Sequence, residues 1–192
     1  MILDIWPSLE KADQALFELI NGQWTMPFFD VFMPWMRTSE NWFPLYLALV
    51  GFVFYRWGWK AWKWLFVVAI TISLSDQLSS FFFKPFFHRL RPCADPSMLT
   101  HVKLLLGACP TNFSFTSSHA TNHFSLAIFV FMTLQPLFKK YTYLFFVWAG
   151  IICYAQVYVG VHYPLDVFAG SLLGLIIGYA GARLYLQWQA RN

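Results

Sequence analysis

Long apolar stretches, separated by short polar ones, dominate the pattern of this chain. Each approaches the roughly 20 residues that a helix needs to cross a bilayer, the first with the help of its flanks. Single polar residues such as Asp76 and His123 interrupt them, and one stretch contains no charge at all. The pattern predicts five membrane-spanning helices, over residues 43–55, 61–83, 120–137, 141–159 and 164–186.

The first forty residues follow a different pattern. Charged and apolar residues mix at helical spacing over 9–20, and Asp30 lies among Phe and Trp residues over 26–36. Such amphipathic segments usually lie in the plane of the membrane interface. We therefore expect an all-α polytopic membrane helix bundle, a single domain with N-terminal interfacial helices in residues 1–40 and the transmembrane bundle in 41–192. The alternative is a sixth, broken span among the first forty residues, at the energetic cost of its charges.

Composition agrees with a membrane location. Of the 192 residues 58% are hydrophobic, 21% aromatic and 11% charged, against roughly 25% charged in a soluble domain. Mean hydropathy is +0.51. These values exclude a disordered chain and a disulfide-framework mini-protein, and they argue against a soluble enzyme. The net charge of +4 forms no basic stripe, so no nucleic-acid partner is expected.

Basic residues predict the orientation. Five spans place seven of the 13 Lys and Arg residues on one face, which the positive-inside rule makes cytoplasmic: Arg56, Lys60, Lys63, Lys139, Lys140, Arg183 and Arg191. The opposite face carries five, namely Arg37, Lys84, Arg89, Arg91 and Lys103. The excess of basic residues on the first face becomes clear if Lys84, Arg89 and Arg91 serve a purpose other than topology.

These three cations lie within eight residues at the outer end of the second span. Such a cluster beside a bilayer suits a phosphate or an anionic head group. The alternative is a set of interfacial side chains that snorkel toward water. Pro92 fixes the chain directly after Arg91, which suits a held geometry better than a solvated face.

The outer ends of two other spans add hydroxyl groups and histidines. Ser117 and Ser118 are N-cap candidates for the third span, where free backbone N–H groups favour anions. Pro164 suits the first position of the last helix, which places His162 just before it and Asp166 in its first turn. A carboxylate four residues away can fix the tautomer of the ring, and an imidazole held this way can attack phosphorus.

A second histidine, His119, opens the third span and could protonate a leaving oxygen. For one histidine alone, capping or packing is the plainer interpretation. Two histidines at helix starts beside three cations favour a phosphoryl-transfer site.

Together these residues resemble the three motifs of the type 2 phosphatidic acid phosphatase (PAP2) superfamily of membrane lipid phosphatases. The first motif, K-x6-RP, is intact from Lys84 to Pro92. The second, PSGH, stands here as TSSH over 116–119, which keeps the first serine and the histidine. The third, SR-x5-H-x3-D, spans 155–166. The motifs occur in family order at family-like separations, and the helical frame from about residue 8 to 187 fits as well.

The resemblance implies a fold, an activity and roles for these residues. It makes His162 the nucleophile that forms a phosphohistidine, Asp166 the carboxylate that orients it, and His119 the general acid. Phosphoryl oxygens would be bound by Lys84, Arg91, Ser117 and the backbone around Ser118. Family members are generally metal-independent, so no metal and no cofactor are expected, which fits the lack of a carboxylate cluster suited to Mg²⁺.

One departure from the family pattern concerns the third motif. The family arginine is Gln156 here, and the family serine is Ala155. Glutamine can donate to a phosphoryl oxygen, but it brings no charge and no bidentate fork. Arg89 is the candidate for supplying the missing charge. Lower turnover, altered substrate choice and loss of activity are all open at this point.

The expected function is lipid phosphate or diphosphate hydrolysis at the extracytoplasmic face of a bacterial cytoplasmic (inner) membrane. Bacterial relatives of this size suggest undecaprenyl diphosphate first, with phosphatidylglycerophosphate, phosphatidic acid and lipid A phosphate as alternatives. A membrane metal or haem protein is a second hypothesis, but it leaves the cation cluster unexplained. A third is a lipid-binding or transport protein that has lost its chemistry. The sequence leaves the oligomeric state open.

Two further features concern packing. Cys93 and Cys109 flank the loop between the first two motifs on the outer face, where an oxidising compartment permits a disulfide. Gly170, Gly174 and Gly178 recur every four residues along the last span. They allow close helix packing, either within the bundle or between subunits.

Overall fold

The structure is a computed structural model that describes residues 2–191, with side chains described from residue 7 onward. The described residues form helices and no strand, which confirms the all-α class. Eight α-helices follow one another along the chain: α1 (Ile2–Glu18), α2 (Pro27–Arg37), α3 (Phe43–Trp57), α4 (Ala61–Gln77), α5 (Lys84–Phe87), α6 (Ser118–Phe138), α7 (Tyr143–Tyr158) and α8 (Pro164–Ala190). A π-helical turn, Leu78–Phe83, joins α4 to α5.

Three continuous helical segments among the described residues are long and apolar enough to cross a membrane: Ser39–Phe87, Ser118–Tyr158 and Pro164–Ala190. The first contains α3, α4 and the short α5, and the second contains α6 and α7. Gly58, with φ 55°, separates α3 from α4, and Lys139, with φ 50°, separates α6 from α7. Phe131 of α6 contacts Tyr143 of α7, so this second pair folds back as a hairpin. The five predicted apolar stretches correspond to α3, α4, α6, α7 and α8. The number of membrane spans stays a prediction.

The closest helix packing joins α6 to α8. A Cβ atom added to Gly170 would lie 2.7 Å from the carbonyl oxygen of Ser117, and one added to Gly174 would collide with the backbone of Thr121. The glycine stripe therefore serves packing within the bundle. Because the two backbones touch, the N-terminal ends of α6 and α8 lie side by side, and the backbone N–H of Ser117 donates to the carbonyl oxygen of Asp166 at 3.1 Å.

The N-terminal helices pack against the end of the bundle where α6 and α8 begin. Phe17 of α1 is fully buried, and its ring meets the edge of Tyr163 at a centroid distance of 5.5 Å. Asn21 donates to the carbonyl oxygens of Lys103 and Tyr158 at 2.8 and 2.7 Å. Neither α1 nor α2 is among the candidate spans. A location in the membrane interface stays a prediction for both.

Polar residues inside the bundle find partners on neighbouring helices. Asn122 of α6 donates to Asp76 of α4 at 3.0 Å, so the carboxylate of Asp76 has a polar partner on another helix. At the far end, Arg56, Lys60 and Lys63 line one cavity with Tyr185 near the C-terminal end of α8. A helix of 27 residues is about 40 Å long, so this basic group and the residues at the start of α8 lie at opposite ends of the bundle.

Candidate active site

The centre of the site is a histidine–carboxylate pair at the start of α8. His162 lies in the short link before α8, and Asp166 occupies its first turn, because Pro164 is at the beginning of the helix. The Nδ1 atom of His162 lies 3.5 Å from Oδ2 of Asp166. Ser114 donates to the same carboxylate oxygen and has its Oγ atom 3.3 Å from His162 Nδ1. The Nδ1 edge of the ring therefore faces a carboxylate and a hydroxyl.

The other ring nitrogen faces an arginine. Nη1 of Arg91 lies 3.0 Å from Nε2 of His162 and also donates to the carbonyl oxygen of Val161 at 2.8 Å. Asn112 holds the same guanidinium through its backbone and side-chain oxygens, at 2.9 and 2.7 Å. Since arginine only donates, the ring presents an Nε2 lone pair to it. Arg91 is thus fixed beside the ring atom that is free to react.

Burial sets the charge of these groups. His162 is 2% exposed. Burial lowers its pKa to about 3, with Arg91 and Lys84 acting in the same direction against the opposing effect of Asp166. Burial also lowers the pKa of Arg91 to about 10, partly offset by Asp166 and reinforced by Arg37. Near pH 7 the imidazole is therefore neutral and the guanidinium charged.

Groups without a partner surround this pair. Lys84 is 5% exposed, and its ammonium group makes no hydrogen bond or ion pair to any residue that the structure describes. Ser117 occupies the N-cap position of α6, yet its buried hydroxyl makes no capping bond and has no partner among the described residues. The Ser118 hydroxyl turns away to Ser79 and Ser80 at 3.0 Å each, so only its backbone is available to a ligand.

His119 lies in the first turn of α6, two residues after the N-cap Ser117. Its imidazole interacts electrostatically with His162 and Lys84, and no described residue hydrogen-bonds to its ring nitrogens. His123, one turn further on, lies behind it: its Nδ1 atom is 2.7 Å from the backbone oxygen of His119, and its Nε2 atom is 3.3 Å from the Tyr46 hydroxyl. His123 thus supports the turn that carries His119.

Residues 60–190 match the PAP2 superfamily. That range is more than half of the chain. This chain belongs to the PAP2 superfamily.

Curated PAP2 relatives match almost the whole chain. A lipid A 4'-phosphatase of Porphyromonas gingivalis is 32% identical over 94% of this chain and 76% of its own length. One of Bacteroides thetaiotaomicron is 32% identical over 92% of this chain and 77% of its own. A putative undecaprenyl-diphosphatase of Escherichia coli is 30% identical over 95% and 85%. The protein is a membrane phosphatase that acts on phosphoric esters.

Solved structures agree with the fold. Aquifex aeolicus LpxE is 28% identical, with a TM-score of 0.62 over 88% of this chain and 94% of that one. The PAP2-type phosphatidylglycerolphosphate phosphatase of Bacillus subtilis is 22% identical, with a TM-score of 0.63 over 94% and 87%. The second likeness supports the PAP2 fold alone.

The structure places Arg89 differently from the phosphate-binding position expected for it. Its Nη1 atom donates to Asp166 at 2.6 Å and its Nη2 atom to Asp13 of α1 at 2.5 Å, while Tyr163 covers the guanidinium face at 4.2 Å. Burial disfavours the charge, but Asp166 and Asp13 outweigh it and raise the pKa of Arg89. The charge of Arg89 is paired with two carboxylates, so this guanidinium holds Asp166 in place rather than facing a phosphate.

Gln156 is fully buried in α7, at the position of the family arginine. Its Oε1 atom accepts a hydrogen bond from Nε of Arg37 at 3.3 Å, and its Nε2 atom has no partner among the described residues. The charge nearest to the replaced motif position is therefore Arg37 of α2.

A disulfide closes the loop between the first two motifs, because Cys93 and Cys109 are bonded with their Cα atoms 5.8 Å apart. The loop docks on the site through Asp95, which accepts a hydrogen bond from the Tyr163 hydroxyl at 2.9 Å. Cys153 is free and buried in α7. Within the described part of the chain, no group of three or more His, Cys, Asp or Glu residues is arranged to hold a metal.

Sequence reasoning missed three residues that shape the site: Asp13, Arg37 and Ser114. Asp13 lies four residues before Phe17, on the buried face of an amphipathic helix, and that spacing was the available signal. Ser114 stands between two phenylalanines with no periodic pattern to reveal it. Arg37 counted only as one of the outer basic residues.

Proposed function

We propose that this protein removes a phosphate group from lipid A at the extracytoplasmic face of the bacterial inner membrane, through a phosphohistidine on His162. The observation that carries the proposal is the neutral imidazole whose Nδ1 edge faces Asp166 and whose Nε2 atom faces Arg91 at 3.0 Å. Lys84 and the Ser117 hydroxyl, both unpartnered among the described residues, lie in the same motifs. The arrangement supplies a nucleophile together with cations for a phosphoryl group.

In the first step, Nε2 of His162 attacks the phosphorus atom, and the P–O bond to the lipid breaks with its electron pair on the leaving oxygen. His119, which the negative charge of the bound phosphate keeps protonated, gives its proton to that oxygen. Asp166 stabilises the positive charge that develops on the ring, while Arg91 and Lys84 stabilise the negative charge on the phosphoryl oxygens. The second step is the attack of water on phosphorus. His119 takes its proton, the P–N bond breaks, and inorganic phosphate leaves with the ring restored.

Similarity supports the choice of lipid A. The two relatives named lipid A 4'-phosphatases are 32% identical over more than nine-tenths of this chain. We therefore rank a lipid A phosphate ahead of undecaprenyl diphosphate, the first choice from sequence. Undecaprenyl diphosphate remains the second candidate, because relatives named for that activity in Sulfolobus acidocaldarius and Escherichia coli also match nearly the full chain.

A substrate panel tests the proposal. Purified protein in detergent is incubated with lipid A, undecaprenyl diphosphate, phosphatidylglycerophosphate and phosphatidic acid, and released phosphate is measured. We expect the highest kcat/KM on lipid A, inhibition by vanadate and no effect of EDTA. Loss of all activity with EDTA, together with indifference to vanadate, would contradict the histidine mechanism.

Two variants make the panel decisive. His162→Ala removes the nucleophile and should abolish turnover. His101→Ala is the matched control, because His101 is an exposed histidine paired with Glu18 at the surface. If His162→Ala turns over lipid phosphates as fast as the parent, the nucleophile assignment is wrong. If the folded parent binds the lipids and releases no phosphate, the protein is a binding or transport homologue.

A further inference from the structure

The site lacks the guanidinium that the third family motif would provide. Gln156 stands at that position, and a glutamine side chain carries no charge. Arg89 does not replace it, because its charge is already paired with two carboxylates, those of Asp13 and Asp166. The three motifs therefore supply two cations, Lys84 and Arg91, to bind a phosphoryl group that carries two or more negative charges.

A third cation approaches from the N-terminal part of the chain. Arg37 lies in the last turn of α2, and its Nε atom donates to Oε1 of Gln156 at 3.3 Å. The helix is held firmly against α7: Met33 and Met36 are buried in the core, and Asp30 accepts a hydrogen bond from the Tyr158 hydroxyl at 2.8 Å. The position of Arg37 therefore follows from the docking of a whole helix.

The charge of Arg37 reaches the reacting groups. It acts electrostatically on both Arg91 and His119, the residues that face the nucleophile and the leaving group in the proposed mechanism. Arg37 forms no ion pair with any described residue, and Glu40 acts on it only at longer range. With Nε used by Gln156, the two terminal nitrogens remain as a planar pair of donors.

The chemistry of Gln156 matches this arrangement. Arginine has donors only, so the amide must turn its oxygen toward Arg37 and its nitrogen away. That nitrogen is buried and has no partner among the described residues. An arginine at position 156 would instead set two like charges side by side in a buried place, at a high energetic cost. A neutral glutamine allows a guanidinium to enter from α2.

We propose that Arg37 is a phosphoryl-binding residue of this active site and that Gln156 positions it. The guanidinium of the third motif is thus supplied from α2 instead of α7. Two parallel terminal nitrogens suit two phosphoryl oxygens, which lysine cannot match. This inference rests on the proposed phosphatase mechanism and adds a residue to it.

Kinetics of Arg37 variants test the inference on the lipid phosphate that the parent hydrolyses best. One donor to a developing negative charge is typically worth about 100-fold in rate, so Arg37→Ala should lower kcat/KM by about that factor. Vanadate should inhibit the variant more weakly than the parent, and Arg37→Lys should recover only part of the loss. Arg183→Ala, which removes an exposed arginine at the far end of α8, is the control and should keep full activity.

Rescue separates a phosphate contact from a structural role. In the double variant Arg37→Ala/Gln156→Arg the guanidinium returns at the family position, and activity should rise well above that of Arg37→Ala. Ethylguanidinium added to Arg37→Ala should restore turnover as well, whereas neutral ethylurea should not. Loss of a purely structural contact would respond to neither treatment.

The outcomes distinguish this inference from the mechanism on which it rests. Full activity of folded Arg37→Ala, with His162→Ala inactive, overturns the role of Arg37 and leaves the phosphatase mechanism intact. A folded Arg37→Ala protein that is inactive and unresponsive to ethylguanidinium also overturns it. Activity of the His162→Ala variant would contradict the phosphohistidine mechanism itself.

Discussion

At the scale of single residues, His162 is deeply buried, and its imidazole is neutral near pH 7. Desolvation keeps the ring uncharged, as attack on phosphorus requires. Asp166 and Ser114 hold the Nδ1 edge, so the Nε2 lone pair points toward Arg91. Arg89 then joins Asp166 to Asp13 of α1, so that the N-terminal helix takes part in holding the carboxylate beside His162.

Burial of this histidine predicts a pH dependence of stability. Its pKa is about 3 in the folded protein against an ordinary value of 6.5. Between these values the unfolded chain binds one more proton than the folded chain, so stability rises with pH in this window and falls as the pH drops from 6.5. The expected loss is about 1.4 kcal/mol of unfolding free energy for each pH unit below about 6.

Thermal unfolding in detergent micelles measures this effect. The parent should lose stability between about pH 6 and about pH 4, and His162→Gln, which cannot titrate, should lose less by about 1.4 kcal/mol per unit. His101→Ala is the control, since His101 is exposed and should leave the slope unchanged. Equal slopes for the parent and His162→Gln would show that the ring is not buried in its neutral form.

Some residues of the candidate site can be predicted from the sequence, and others cannot. Lys84, Arg91, His119, His162 and Asp166 were all singled out from charge, helix starts and motif spacing. The role of Arg89 came out differently, because Asp13 lies 76 residues away in sequence and no local pattern connects the two. The contact of Arg37 with Gln156 spans 119 residues and is equally invisible to periodicity.

At the scale of elements, close packing of α6 on α8 brings the second and third motifs together. Helix starts at Ser118 and Pro164 place His119 and Asp166 in neighbouring first turns. The predicted stretches agree closely with the observed helices, 43–55 with Phe43–Trp57 for example. Apolar length is a strong signal in a membrane, because every backbone group must be satisfied within its own helix. Interhelical contacts between short polar side chains leave no such trace.

Gly174 is one of the positions in this contact that leave no room for a side chain. Gly174→Ala adds a methyl group against the backbone of Thr121, and overpacking of this kind costs about 1–3 kcal/mol. We expect a lower thermal unfolding midpoint and a lower kcat, because the starts of α6 and α8 must move apart.

Gly150→Ala is the matched control for this variant. Gly150 lies in α7, and a Cβ atom there would meet nothing within 4 Å, so alanine should be neutral or slightly stabilising through its better helix propensity. Both measurements use the same detergent and the same lipid substrate. A Gly174→Ala protein as stable and active as Gly150→Ala would show that α6 and α8 are not in backbone contact.

At the scale of the whole molecule, the charges have three separate uses. Basic residues near the C-terminal end of α8 and in the turn after α3 mark one end of the bundle. Lys84 and Arg91 line the site at the other end. Arg37 joins them in the proposed phosphate site, and the two other cations at that end are ion-paired, Arg89 with Asp13 and Asp166 and Lys103 with Asp30. The basic residues near the C-terminal end of α8 have no such role, so their excess is the signal that predicts the orientation in the membrane.

That signal predicts which end faces the cytoplasm, and cysteine labelling in spheroplasts can test it. In the parent, Cys93 and Cys109 are bonded and Cys153 is buried, so the background reaction with a membrane-impermeant maleimide should be low. Lys60→Cys should be labelled only after lysis, because the positive-inside rule places it in the cytoplasm. Ser97→Cys, exposed in the disulfide loop, should be labelled in intact spheroplasts, and the reverse result would invert the orientation.

The same experiment distinguishes five spans from six. Glu10 is exposed on α1, and an interfacial α1 at the outer face leaves a cysteine there open to the reagent from outside. A broken span through residues 1–40 would bury the site in lipid or turn it inward, so labelling would require lysis or fail. We expect Glu10→Cys to react in intact spheroplasts like Ser97→Cys, because Asp13 on the same helix must reach Arg89 beside the catalytic pair. Protection of Glu10→Cys with labelling of Ser97→Cys would favour the sixth span.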